Sequence, residues 1–289
     1  MDANSGLSRH SRYLVDAFAP LLRFFTDSTW ASRFGRPGVC DFTIGNPHDM
    51  PLKSFVDALQ SKITPRDAYW YAYKRNEPEA RRIVAASLEA SHRLPFEPED
   101  IFLTNGATAA LHVVLAATVD LGDEVIFLSP PWFQYETMIM NDGKALLAPG
   151  ERMGYIALHP DMSHRMEFRS TIPALQMIHG WSFPNALLQH AIGDLEKISV
   201  DITHLQAKRD RLVSELLRMG YATQTPEATF YLLVRSPIPD DEEFVQLLTE
   251  YDIFCIPGSL MDLPGYFRMS ITASDEMIER ALPGFEIGR

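Results

Sequence analysis

Hydrophobic positions recur at helical spacing near the start of the chain. Tyr13, Leu14, Phe18, Leu21, Leu22 and Phe25 make residues 11–34 an amphipathic arm, and Pro20 predicts a break within it. Cys40–Ile44 is a short apolar run closed by Gly45-Asn46-Pro47, the pattern of a strand followed by a turn. Helical patterns follow over 51–62 and 77–93. Ile101–Gly106 predicts a short strand, Ala107–Val119 a helix of high propensity, and Val125–Ser129 a fully apolar strand. A helix over 132–140, a strand over Met153–Leu158 and helices over 163–180 and 184–195 come next. The helix over 201–219 places Ile202, Leu205, Leu212, Val213, Leu216 and Leu217 on one face and ends at Gly220. Beyond it the pattern predicts strands over 221–224 and 229–235, a helix over 241–251, strands over 253–256 and 266–272, and a helix over 275–282. Ser274 caps that last helix, with Asp275 and Glu276 in its first turn.

Apolar strands alternating with helices predict an α/β protein whose sheet is covered on both faces. The expected organisation is an N-terminal arm over 1–44 that forms part of a small domain, a large domain over 45–200, and a small α+β domain over 201–289. No internal repeat is visible. At 289 residues, 46% of them hydrophobic, the chain buries a core without staples. Its net charge of −12 argues against nucleic acid or a membrane surface as partner, because either needs a basic face. An anionic ligand must then be held by a local site. Cys40 and Cys255 are the only cysteines, too few for a disulfide framework. No apolar run approaches the length of a membrane helix, and Asp2 and Asp16 speak against a transit peptide. The expectation is a cytoplasmic protein with an unprocessed start.

Four local units can carry chemistry. In Thr104-Asn105-Gly106-Ala107-Thr108, a glycine between strand and helix lets the backbone approach a ligand, and the N–H groups of Ala107 and Thr108 point out of a helix N-terminus, which suits a phosphate. The bland alternative is an Asn-Gly turn. Trp132 and Tyr135 follow an apolar strand, where a ring walls a ligand slot or packs in the core. Lys144 precedes Ala145-Leu146-Leu147 and is either an amine nucleophile of lowered pKa or a solvated loop lysine. Arg268 lies in the apolar strand Tyr266-Phe267-Arg268-Met269-Ser270 and needs a carboxylate partner, from the protein or from a substrate. His159 and His164 are not spaced to share a metal on a helix face, and no metal site is expected.

The order and wording of FTIGNP, LTNGATAAL, LSPPWFQYE, GKALLAPGERMGYIAL and GYFRMSITASDEMIERALPGF resemble the class I/II aminotransferases, the pyridoxal-phosphate enzymes of fold type I, from about Phe42 to Phe285. The resemblance implies an aminotransferase acting between an amino acid and a 2-oxo acid, with the cofactor in the large domain. It places Lys144 at the family's cofactor-bonded lysine and Arg152 at the phosphate-binding arginine. Ala107 and Thr108 take the phosphate-binding amides, and Trp132 the aromatic that stacks on the pyridine ring. Tyr71 matches the tyrosine that reaches the phosphate of the neighbouring subunit, which implies a homodimer. Gly45 is the backbone contact near the substrate carboxylate, and Arg268 the arginine that grips it.

One departure stands out. Only 12 positions separate Trp132 from Lys144, where the family has a long stretch carrying an Asn-Pro turn and the aspartate that pairs with the pyridine nitrogen. The expectation is an internal deletion joined at about 141–143, equal to roughly two or three βαβ units. Its loss predicts slow turnover. It also leaves open a non-catalytic form that binds cofactor weakly or pairs with a full-length subunit, and a different reaction in the same pocket, such as a β-lyase.

Overall fold

A computed structural model describes residues 8–120, 122–127 and 152–288. Helix α1 (Arg9–Asp27) is capped by Ser8, whose Oγ accepts the Ser11 N–H at 3.0 Å. It does not break at Pro20. The carbonyl that Pro20 leaves without a donor belongs to Asp16, and both residues are exposed, where water can satisfy it. Helix α2 (Thr29–Arg33) and strand β1 (Cys40–Asp41) follow. Next come α3 (Lys53–Ile63) and α4 (Pro78–His92), the latter opened by a proline at a position whose N–H has no helical partner. Strand β2 (Ile101–Thr104) leads into α5 (Ala107–Thr118), and β3 (Gly154–Ala157) into α6 (Arg165–Ile178) and α7 (Ala186–Leu195). The remainder is α8 (Ile202–Arg218), β4 (Tyr231–Arg235), α9 (Asp241–Leu248), β5 (Ile253–Phe254), β6 (Ile256–Pro257), β7 (Tyr266–Ser270) and α10 (Asp275–Gly288).

The chain folds as two units, one of residues 1–50, 126–137 and 201–289, the other of 51–125 and 138–200. The first unit holds the antiparallel sheet β4-β7-β6 and the parallel pair β1-β5. Leu232 and Val234 of β4 and Phe267 and Met269 of β7 alternate onto one face, where they meet Phe42, Leu212, Leu216, Phe244 and Phe285 in the core. The arm runs on past residue 44 because its next residues are tied down: His48 N–H donates to the Thr272 carbonyl, and Asp49 pairs with Lys208. Lys208 also corrects the expected face of α8. Residues Lys208, Leu212, Val213 and Leu216 point inward, whereas Ile202 and Leu217 are exposed. The buried Lys208 ammonium is satisfied by Asp49 at 2.8 Å and the Ala273 carbonyl at 3.0 Å, so a charged residue serves as a core position.

Helix α10 continues through Pro283 to Gly288, beyond the predicted end at 282; Phe285 is fully buried and its carbonyl accepts the Tyr221 hydroxyl at 2.8 Å. Ser274 caps this helix as expected, accepting the Met277 N–H at 3.2 Å. The stretch 221–224 contributes only a single bridge, Thr223 to Val234, and no full strand.

In the second unit β2 pairs antiparallel with β3, Ile101 opposite Ala157 and Thr104 opposite Gly154. Ile101 and Leu103 face Ala80, Val84, Ala85 and Ile192; Phe102 faces Val113, Ile156 and Ile172. Helices therefore cover both faces of this pair, as the continuous apolar run of β2 requires. The predicted strand at Val125–Ser129 is not formed over its described residues. Residues 125–127 belong to no ladder and Ile126 is 95% exposed. Apolar character alone does not place a segment in a sheet.

Asp100, at the entrance to β2, is fully buried and organises this unit. It accepts Arg165 Nε at 2.6 Å, Arg169 Nη2 at 2.7 Å and the Glu97 N–H at 2.9 Å, and Arg165 Nη2 makes a further bond to it. Burial opposes its ionisation, but the Arg165, Glu97 and Arg169 hydrogen bonds outweigh burial and hold the carboxyl below its ordinary range. A depressed folded pKa means that this contribution is whole above about pH 5 and drains away as the pH falls through the folded value. Asp100→Ala, which strands two guanidinium groups, is expected to cost about 3 kcal/mol in urea denaturation at pH 7. The loss should shrink below pH 4; an equal loss at both pH values would show that packing, not charge, is what Asp100 supplies.

Candidate functional site

In the second unit, β2 ends in Thr104-Asn105-Gly106 and α5 begins at Ala107. Gly106 adopts φ +87°, a conformation that side chains with a Cβ rarely take. Its carbonyl accepts the Thr104 hydroxyl at 3.0 Å and the Ala110 N–H at 3.3 Å, which sets the first turn. Facing it is the start of β3. A Cβ on Gly154 would lie 2.8 Å from the Gly106 carbonyl carbon and 2.9 Å from Ala107 N, so the two backbones touch there. Arg152 lies over the same turn: a Cβ on Gly106 would stand 2.8 Å from its Nη2. Among the described residues Arg152 forms no ion pair, and burial pushes its guanidinium below the ordinary range. Arg152 and the open first turn of α5 stand together with no protein anion among the described residues. That arrangement suits a phosphate. Asn105 adds a buried Oδ1 with no hydrogen-bond partner.

In the first unit, Arg268 is 6% exposed in the central strand β7, on the face opposite the core. Its Nη2 donates to the Thr43 carbonyl at 2.7 Å, and the guanidinium carbon lies 4.0 Å from the ring centre of Tyr231 on β4. Its Nε is buried without a partner, and no carboxylate among the described residues pairs with it. Burial pulls its pKa down, with Tyr231 acting in the opposite sense. Gly45 adjoins: a Cβ there would meet Phe230 at 2.3 Å and the Tyr231 hydroxyl at 2.9 Å. Thr229, at φ +73°, is a β-branched residue in a left-handed conformation, strain of the kind that gathers at functional sites.

Gly106, Ala107, Thr108 and Arg152 thus come together in one unit, and Gly45 and Arg268 in the other. The Tyr71 ring is half exposed and its hydroxyl donates to the Ile63 carbonyl of its own chain. Trp132 and Lys144, and with them the predicted helix over 132–140, lie outside the described residues. Three contributors were not singled out from the sequence: Asp41, Thr43 and Tyr231. A signal existed for Tyr231, since β4 pairs with the strand of Arg268 and period-two alternation puts both on one face. Among the described residues no cluster of His, Cys, Asp and Glu could hold a metal, and no helix is long and apolar enough to cross a membrane.

The family model for aminotransferase class I and II matches residues 37–143 and 142–285, and the chain belongs to that family, whose members use pyridoxal phosphate. Aspartate aminotransferase of Thermotoga maritima is 21% identical over 342 aligned positions, covering 86% of this chain and 90% of that protein. Its crystal structure superposes with a TM-score of 0.81 at 19% identity over 97% of this chain and 99% of that one. An aminotransferase from Eubacterium rectale gives 0.79 at 19% identity, covering 98% and 96%. The two stretches of the family match meet at residues 142–143, and the Thermotoga alignment is longer than this chain.

The Gly106–Arg152 cradle fits the phosphate of such a cofactor, because a partly buried arginine with no counter-charge among the described residues stands beside the first turn of α5. Gly106→Ala puts a Cβ against Arg152 and strains the backbone. It is expected to weaken pyridoxal phosphate at least about tenfold in equilibrium titration. Unchanged affinity would place the phosphate elsewhere.

Proposed function

We propose that this chain binds pyridoxal phosphate through Arg152 and the amides of Ala107 and Thr108, and acts between an amino acid and a 2-oxo acid. The observation that carries the reading is Arg152 lying over Gly106 at the start of α5, with no anion among the described residues to meet it. When bound, the cofactor supplies an electron sink for charge released at the substrate α-carbon. The chain's own residues divide the remaining work. Trp132 would stack against the ring and exclude water. Lys144 would hold the cofactor through its amine and serve as the base for the α-proton. Arg268 holds the substrate carboxylate beside the Gly45 backbone, with Nη2 also tied to the Thr43 carbonyl. Tyr71 reaches the phosphate site of a second copy in a homodimer, and the protein works in the cytoplasm.

Borohydride treatment of the cofactor-loaded chain, followed by peptide mapping, is expected to find the pyridoxyl group on Lys144. Label on other lysines with none on Lys144 would remove that residue from the mechanism.

We further propose that an internal stretch is absent at about 141–143, supported by the two-part family match and by the 12 positions between Trp132 and Lys144. The family's aspartate against the pyridine nitrogen falls within that stretch. Without it the ring nitrogen lacks the carboxylate that keeps it protonated, and loss of such an electrostatic partner costs about 10²–10³-fold in rate. In a single-turnover experiment with an amino acid, the cofactor spectrum is therefore expected to change at well under ~1 per second. Rates in the ordinary enzyme range would mean that another acid has taken over the ring nitrogen. The same junction favours a second reading, a form that holds cofactor without turning over; complete absence of spectral change in the loaded chain selects it.

A further inference from the structure

Arg268 is held by more than its own strand, and the holding groups define a device that the carboxylate reading alone does not contain. Beneath the guanidinium lies the Tyr231 ring, 4.0 Å from ring centre to guanidinium carbon. At its edge the Thr43 carbonyl accepts from Nη2 at 2.7 Å. Thr43 is itself pinned from behind: its N–H and its hydroxyl both donate to Asp41 Oδ1, at 2.9 and 2.5 Å. Asp41 is 5% exposed and sits in β1, paired through Phe254 to β5, so the anchor belongs to the rigid part of the unit. The Tyr231 hydroxyl takes space that a side chain at position 45 would otherwise fill. The buried Nε of Arg268 is left without a partner.

We infer that Asp41 and Tyr231 are positioning residues that aim Arg268 at a ligand carboxylate, Asp41 by fixing the Thr43 carbonyl and Tyr231 by seating the guanidinium on its ring. The inference rests on the reading of Arg268 as the carboxylate site. A long arginine side chain has many rotamers, and fixing it before binding removes an entropy cost that the ligand would otherwise meet. A carbonyl at the edge and a ring on the face leave two degrees of freedom closed and one prong of the fork open. Neither supporting group carries a charge that competes with the ligand: Thr43 presents a carbonyl and Tyr231 a neutral ring, while the carboxylate of Asp41 stays occupied by Thr43. A direct Asp–Arg268 pair would instead block the site.

The test is a double-mutant cycle on binding, using the full chain saturated with pyridoxal phosphate and the unreactive carboxylates maleate and 3-phenylpropionate, measured by calorimetry. Tyr231→Leu is expected to weaken whichever probe binds by about tenfold, and Tyr231→Phe by less than about twofold, since the ring is kept. Asp41→Asn preserves the shape but weakens the grip on Thr43, with an expected loss of about fivefold. The decisive readout is the Arg268→Lys background, in which Tyr231→Leu and Asp41→Asn should have almost no further effect. Full effects of both in that background, or none in the parent, overturn the inference while leaving Arg268 in place. No effect of Arg268→Lys itself overturns the carboxylate reading, and the inference falls with it. Should Tyr231→Leu fail to fold, as judged by its thermal melt, the Asp41→Asn arm carries the decision alone.

Discussion

A guanidinium group taken out of water must find an anion or a dense set of acceptors, because the desolvation of a charge is costly. Both candidate sites turn on that constraint. Arg152 and Arg268 are withdrawn from solvent, and neither meets a carboxylate among the described residues. Each is placed by backbone: Arg152 by the close approach of β3 to the Gly106 turn, Arg268 by its central position in β4-β7-β6. The fold holds the cations where a ligand anion completes the set.

The contrast with Asp100 shows that this chain pairs buried arginines elsewhere. Arg165 and Arg169 share one buried carboxylate, with Glu97 beside it. That cluster closes on itself and leaves nothing for a ligand. Lys208 with Asp49 and the Ala273 carbonyl is another closed set. Against these, Arg152 and Arg268 Nε have no such partner among the described residues, which is what supports reading them as ligand groups. The glycines make the same distinction. Gly106 and Gly45 stand where a single methyl would collide with a functional side chain, so their absence of a Cβ is part of the site.

The family alignment adds a constraint of another kind. Its two parts meet at residues 142–143. Strand β2 finds β3 across that junction, antiparallel and in full register, and helices cover both faces. This long-range pairing is specified by the faces that β2 and β3 bury.

Much of the architecture was legible in the chain alone. Helical periodicity located α3, α4, α5, α8 and α10, and the order of the motifs from Phe42 to Phe285 pointed to the family, because turn glycines, helix starts and apolar runs are written locally. The Gly106 turn and the Arg268 strand could be singled out for the same reason. What the chain alone did not decide is partnership. Pro20 predicted a break and the last helix was expected to end at 282, yet α1 runs through Pro20 and α10 through Pro283, since exposure of Asp16 and burial of Phe285 are tertiary facts. Val125–Phe127 looked like part of a buried strand, yet these residues are in no strand and Ile126 is exposed, which an apolar run cannot reveal by itself. The apolar pattern of α8 did not mark Lys208, which is buried with Asp49, and Arg268 could not be assigned a partner until Thr43 and Tyr231 were seen around it. Local chemistry is a property of the sequence; which charge is left unmatched is settled only when distant segments are brought together.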